Sequence, residues 1–268
     1  MPYCKKCGAE LEEKANFCPK CGSPVSSQVS ETAGAVGQRR TPLSPTSIAM
    51  IGIGAVLLFA VISISLGFLN PTGTIVGSGN LITREEAYSG FTSVSVNSGF
   101  KFYITHSDSY RVTVTSDDNL VNYLEVTKSG GTLHIVLKPG YSIQSTSLKV
   151  EITMPSLSGL DLNGGANGEA SGFTSSSDLA ITSSGGGKVK MAGEAYNLVI
   201  SASGGSSLDL LNFHVNNANI DLSGGCQVTI NLDGRLDATC SGGSHIIYTG
   251  NPTMGNINTS GGGTITKK

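Results

Sequence analysis

Two kinds of hydrophobic pattern divide this chain. The first is one unbroken run, Ile48 to Leu69, reading IAMIGIGAVLLFAVISISLGFL. It holds 22 consecutive residues without a charge, polar only at Ser63 and Ser65. As a helix it spans roughly 33 Å, the thickness of one hydrocarbon core. Pro45 and Pro71 stand just outside it, and a buried core helix would not need so long an uninterrupted run. The spacing predicts a transmembrane helix over 48–69. The second pattern is alternation of apolar and polar residues. It recurs at FTSVSV (91–96), FKFYIT (100–105), YRVTVT (110–115), YLEVT (123–127), TLHIVL (132–137) and LKVEITM (148–154), with turn residues such as Asn97-Ser98-Gly99 between. Period-2 alternation bounded by Gly, Ser and Asn predicts strands, and no soluble helix is expected.

From residue 157 the alternation becomes a repeat. Gly-Gly pairs begin at Gly164, Gly185, Gly204, Gly224, Gly242 and Gly261, at steps of 21, 19, 20, 18 and 19 residues. Four residues before each stands Leu160, Ile181, Ile200, Ile220, Ala238 or Ile257, and these positions are expected to face inward. The opposite parity holds Asp161, Thr182, Ser201, Asp221, Thr239 and Asn258, expected to face outward. Repeats of about 20 residues, each with a sharp Gly-Gly corner, suit the coils of a parallel β-solenoid stacked at roughly 4.8 Å. No helix fits between repeats, which disfavours a leucine-rich horseshoe. The calcium-binding GGxGxDxU nonapeptide is absent. A β-sandwich with accidental regularity is the alternative.

Charge orients the chain. Residues 1–47 carry Lys5, Lys6, Lys14, Lys20, Arg39 and Arg40, whereas the first cation after Leu69 is Arg84. The positive-inside rule therefore places the N-terminus in the cytoplasm and the C-terminal body outside. The run is too long for a signal-peptide h-region, follows a cysteine-bearing head, and is followed by Asn70-Pro71-Thr72 rather than A-x-A, so it reads as a signal anchor. Only 13% of residues are charged, and Gly accounts for 36 of 268. Composition of that kind permits disorder, but the alternation of Val, Ile and Leu argues for a packed core. After Leu69 there are 11 Lys and Arg against 15 Asp and Glu, a net of −4. No basic stripe is present, so nucleic acid is not an expected partner.

The head contains Cys4-x-x-Cys7 and Cys18-x-x-Cys21, each pair followed by Gly. Four thiolates satisfy tetrahedral Zn²⁺ and leave no open position, the mark of a closed structural site. One Zn²⁺ per chain, held by Cys4, Cys7, Cys18 and Cys21, is expected to supply the folding energy that about 25 residues cannot obtain from a core. The expected organisation is a zinc ribbon at 1–25, a flexible linker at 26–47, the transmembrane helix at 48–69, a spacer at 70–79 and the β-helical domain at 80–268.

Little in the body points to catalysis. His106, His134, His214 and His245 are scattered, with no two at ligand spacing. Asp161 and Asp221 share a column three coils apart, roughly 14 Å by coil spacing and too far to cooperate. Glu169, Glu194, Asp209, Asp233 and Asp237 are expected in different registers. Cys226 and Cys240 both fall on the inward parity, offset along the strand, and are expected as buried, unpaired thiols. The ending GGGTITKK carries no visible cap, and Lys267-Lys268 would discourage edge pairing.

Two resemblances add to this reading. Tyr3 to Val25, containing YCKKCGAELEEKANFCPKCG, resembles the small zinc-ribbon module found at the N-terminus of many prokaryotic membrane proteins. That resemblance implies a structural or protein-docking element. From about Gly77 to Lys268 the chain resembles the head GIN domain family of auto-transporter adhesins. The similarity rests on GSGNLITREEAYSGFTSVSVNSGF, YRVTVTSDDNLVNYLEVTKSGGTLHIVLKPG and MPSLSGLDLNGGANGEASG leading into the SGG coils. It implies an all-β, single-stranded, right-handed parallel β-helix and carries no catalytic motif. The combined expectation is a single-pass membrane protein with an extracytoplasmic solenoid and a cytosolic zinc ribbon. Its role would be adhesion, envelope contact or sensing. The expected partners are the membrane, an envelope polymer or surface protein, and a cytosolic protein for the ribbon. A β-helical polysaccharide-acting enzyme and a cytosolic signalling protein led by the ribbon are the alternatives.

Overall fold

A computed structural model describes residues 74–145, 147–174 and 178–268. The zinc ribbon with its four cysteines, the linker and the apolar run at 48–69 lie outside the described residues. Among those described, no helix is long and apolar enough to cross a membrane. The described residues contain one 3₁₀ turn, Val121–Tyr123, and their remaining regular structure is strand.

Each coil of the solenoid has two strands joined by a glycine corner. The strands before the corner form a first face and those after it a second. The pairs are β3 (Ser93–Val96) with β4 (Lys101–His106), and β10 (Gly159–Leu162) with β11 (Asn167–Thr174). β12 (Leu179–Ser183) leads into β13 (Lys188–Ala202), and β14 spans Ser207–Leu222. The last coils are β15 (Gln227–Leu232), β16 (Arg235–Cys240) with β17 (His245–Thr249), and β18 (Thr253–Thr259) with β19 (Thr264–Lys267). β13 and β14 are long because each runs from the second face of one coil onto the first face of the next. β13 pairs with β14 in parallel register from Lys188↔Ser207 to Ala202↔Leu222, with one shift after Lys190. The winding from β10 to β19 makes about five turns.

Alternation drives this arrangement. Leu160, Ile181, Ile200, Ile220 and Ala238 are buried, as are Val189, Leu208, Val228 and Ile246 beyond the corners. Burying one apolar side chain of this size contributes about 1.5–3 kcal/mol, and the period of two sends every second residue to that core. Asp161, Thr182, Ser201, Asp221, Thr239 and Asn258 lie on the outward parity in one continuous register.

The solenoid begins earlier than the repeat at residue 157 suggests. Val94 and Val96 pair with Leu160 and Leu162, and Phe102 with Gly168, so β3 and β4 form a coil in register with the rest. Its corner, Asn97-Ser98-Gly99, stands where later coils have Asn163-Gly164-Gly165 and the SGG turns. On its other side β3 pairs with β7 (Thr132–Leu137), and β4 with β9 (Lys149–Met154). The chain therefore leaves this coil, builds another beyond it, and returns past it to β10. Antiparallel strands cover that outer coil. β6 (Leu124–Ser129) lies on β7, β5 (Arg111–Asp117) on β9, and β2 (Leu81–Glu86) on β5. A small parallel pair, β1 (Ile75–Val76) with β8 (Ile143–Gln144), completes this end. Antiparallel strands end a parallel stack by pairing its edge. At the other end β18 and β19 form the last coil, where Met254 and Ile257 are 43% and 37% exposed.

Candidate functional site

The outward residues of the second face form two columns. One runs Lys149, Lys101, Asn167, Lys188, Ser207; the next runs Glu151, Tyr103, Glu169, Lys190, Asp209. Lys101 and Tyr103 come from β4 and the others from later coils, so parallel register assembles residues separated by more than a hundred positions. Where Asn167 stands between Lys101 and Lys188 the face dips into a shallow groove of about 350 Å³. Tyr103, Glu169, Lys190 and Ser207 complete its rim. The Lys101 ammonium lies 5.5 Å from the centroid of the Tyr103 ring. Its pKa is raised, first by its side-chain hydrogen bond with Tyr103 and then by the charges of Tyr103 and Glu169. Lys149 pairs with Glu151 at 3.0 Å. Cation, aromatic ring and carboxylate within reach of one groove can hold a polyhydroxylated or charged chain by hydrogen bonds and stacking.

The expectation that Glu169 and Asp209 occupy different registers is corrected: both lie in the second column, flanking Lys190. Lys190 stands between the two carboxylates in the register of the column. Asp161 and Asp221 do share a first-face column three coils apart. Asp161 is fully engaged. It accepts hydrogen bonds from Ser95 at 2.8 Å, Thr182 at 2.6 Å and Asn163 at 2.9 Å. A carboxylate bound on three sides across neighbouring coils staples the stack.

The four histidines remain apart. His106 meets Phe173 edge-on at 5.9 Å, His245 bonds Thr264 at 2.7 Å, and His214 lies 3.9 Å from Asp233. Cys226 and Cys240 are buried and unbonded to each other. Each thiol donates to a nearby carbonyl: Cys226 to Ser223 at 3.1 Å and Cys240 to Ser244 at 2.9 Å. Burial pushes the Cys240 thiol up, which keeps it protonated and unreactive. Both line the inside of the glycine corner with Ser183, Ser206 and Ser244, all buried, and Ser183 donates to Ser206 at 2.9 Å. Among the described residues no three His, Cys, Asp or Glu side chains converge to hold a metal.

Sequence inspection does not find the groove, because β3 and β4 precede the visible Gly-Gly repeat. Its signal is Val94-x-Val96-Asn97-Ser98-Gly99-Phe100-x-Phe102 aligned with Leu160-x-Leu162-Asn163-Gly164-Gly165-Ala166-x-Gly168. That alignment alone places Lys101 beside Asn167 and Tyr103 beside Glu169.

A zinc-ribbon domain profile matches residues 3–25 and implies structural zinc at the N-terminus. No curated relative matches the chain. The chain is similar in structure to a putative adhesin from Bacteroides fragilis, with 22% identity and a TM-score of 0.59 over 72% of this chain and 100% of that one. A putative adhesin from Parabacteroides merdae matches at 18% identity and TM-score 0.46, over 74% and 100% of the two chains. A putative lipid binding protein from Parabacteroides distasonis matches at 20% and 0.46, over 73% and 100%. At such identities the first likeness is one of fold. The profile described as putative auto-transporter adhesin, head GIN domain, matches residues 90–252, more than half of the chain. Together with the solenoid built from β3 onward, that match establishes that the chain belongs to the head GIN domain family.

Proposed function

We propose that the protein is a membrane-anchored binding protein whose solenoid is presented outside the cell and holds an envelope polymer or surface protein along its second face. The observation that carries this reading is the groove at Asn167, bordered by Lys101, Tyr103, Glu169 and Lys190 in adjoining coils. A face of stacked polar side chains offers a regular series of donors and acceptors, which suits an extended ligand. The Asp161 carboxylate is committed to neighbouring coils, and Lys190 stands between Glu169 and Asp209, which favours binding over hydrolysis. The adhesin descriptions of the family and of the Bacteroides fragilis structure agree with a surface role.

The anchor is the apolar run Ile48–Leu69, with the zinc ribbon on the cytoplasmic side. Cys4, Cys7, Cys18 and Cys21 would hold one structural zinc, and the ribbon would dock a cytosolic protein. Metal analysis of the full chain should then find one zinc per chain, lost in Cys4→Ser; an unchanged zinc content would remove this assignment. The binding face is tested by the variant Lys101→Glu/Lys188→Glu/Lys190→Glu. Cells displaying the wild type should retain isolated envelope polysaccharide, and the variant should lose that retention with its melting temperature unchanged. Equal retention by both would move the binding surface away from the groove.

A further inference from the structure

The second face sorts its charges by column. The first outward column carries Lys149, Lys101 and Lys188, with Asn167 between the last two, and no acidic residue stands in it from Lys149 of β9 to Thr264 of β19. Glu151, Glu169 and Asp209 all stand one column over. The Lys149 ammonium is taken by Glu151 at 3.0 Å. Lys101, Lys188 and Lys190 are exposed and make no ion pair among the described residues. The groove is therefore bordered by three ammoniums, Lys101, Lys188 and Lys190, against the single carboxylate of Glu169. That local excess of cations stands on a body with more acidic than basic residues.

Register also sets the spacing. Neighbouring coils lie about 4.8 Å apart, so Lys101 and Lys188, two coils apart, stand roughly 10 Å apart along the stack with Asn167 between them. Residues two positions apart on a strand are separated by roughly 7 Å, which is the distance from the first column to the second. A ligand that lies along the stack and spans both columns meets Lys101, Asn167 and Lys188 on one side. On its other side it meets the half-buried Tyr103 ring and the exposed Glu169 carboxylate.

We propose that the groove takes an acidic polysaccharide lying along the stack, with a uronate carboxylate between Lys101 and Lys188, the sugar ring against Tyr103 and a hydroxyl donating to Glu169. The inference rests on the binding reading given above and adds the class of polymer. A carboxylate accepts charge-assisted hydrogen bonds from lysine ammoniums, and the Asn167 amide can donate to the same oxygens. The apolar face of a sugar packs on an aromatic ring, and its hydroxyls donate to a carboxylate. A neutral glucan would leave Lys101 and Lys188 without a counter-charge. A bare phosphate chain would offer the Tyr103 ring nothing to stack on and would meet Glu169 as a like charge.

The test uses the full-length chain in detergent micelles and measures its binding to polygalacturonate, to polyphosphate and to the neutral glucan dextran. Polygalacturonate should bind best and dextran least. Lys101→Gln/Lys188→Gln should weaken polygalacturonate binding about tenfold or more. Lys138→Gln/Lys267→Gln, which removes the same charge elsewhere, should leave it unchanged. Tyr103→Ala should weaken polygalacturonate binding and spare polyphosphate, and every variant should keep the wild-type melting temperature. Equal losses in the two lysine pairs would overturn the groove in favour of diffuse charge attraction. Polyphosphate bound more tightly than polygalacturonate would overturn the sugar in favour of a phosphate polymer. Dextran bound as well as polygalacturonate, and lost in Tyr103→Ala, would overturn the acidic ligand and leave the binding face standing. Polygalacturonate left unbound while cells still retain envelope polysaccharide would remove the uronate alone. Failure of both would remove the binding reading with it.

Discussion

At the residue scale the corner glycines do two different jobs. Gly242 has φ +63°, and a Cβ there would lie 2.8 Å from the Gly224 nitrogen of the coil beneath. Gly243 has φ +79° and would meet nothing within 4 Å. The left-handed conformation costs an L-residue about 1–2 kcal/mol. Gly243→Ala should therefore cost about that much, and Gly242→Ala clearly more, because the stacked backbone must also move. Equal losses in denaturant unfolding would show that the coils are not in close backbone contact. The same rule explains Ser98, the one non-glycine at positive φ among the described residues. It occupies the first position of the corner in the β3–β4 coil. The sequence displays Gly-Gly openly, and this is why the later coils are legible. It conceals the β3–β4 corner, because one serine replaces the first glycine and breaks the visible motif.

At the element scale, alternation predicts β3 to β7 and β9 within a residue or two, since period-2 burial is written locally, and it misses the two-residue β8. It does not say which strand pairs with which. β3 and β4 lie between β7–β9 on one side and β10–β11 on the other, an order set by closing the end of the stack. β2 escaped notice because its sequence, LITREE, does not alternate. The last coil is secured partly by charge. Asp237 accepts from Arg235 at 2.7 and 2.8 Å and from the Asn256 N–H of β18 at 2.7 Å. The Arg235 guanidinium, followed by that backbone donor, holds the Asp237 carboxyl below the usual carboxylate range. A lowered pKa in the folded state gives stability that is present above the ordinary carboxylate value near 4 and is lost as pH falls through the lowered one. The wild type should melt above Asp237→Asn at pH 7, and the gap should close as pH falls through the lowered pKa of Asp237, below the ordinary carboxylate range. A gap unchanged by acid would mean that the ionised form is not what binds β18.

At the scale of the whole molecule the two halves of the chain differ in how much of them sequence can specify. Four cysteines at CxxC spacing name a metal site without a structure, because ligand type and spacing are the site. The groove on the second face is the opposite case. Lys101, Tyr103, Glu169 and Lys190 carry no motif, and only the register of parallel coils brings them together. On the function proposed above, what these parts do depends on which side of a membrane each lies. The most direct test is therefore topology. A single cysteine is placed at Thr72, with Cys226 and Cys240 changed to Ser, and intact cells are treated with a membrane-impermeant maleimide. The account predicts that Thr72→Cys is labelled on intact cells while the zinc-bound cysteines of the head are not. Labelling that appears only after lysis would place the solenoid inside and contradict the surface role.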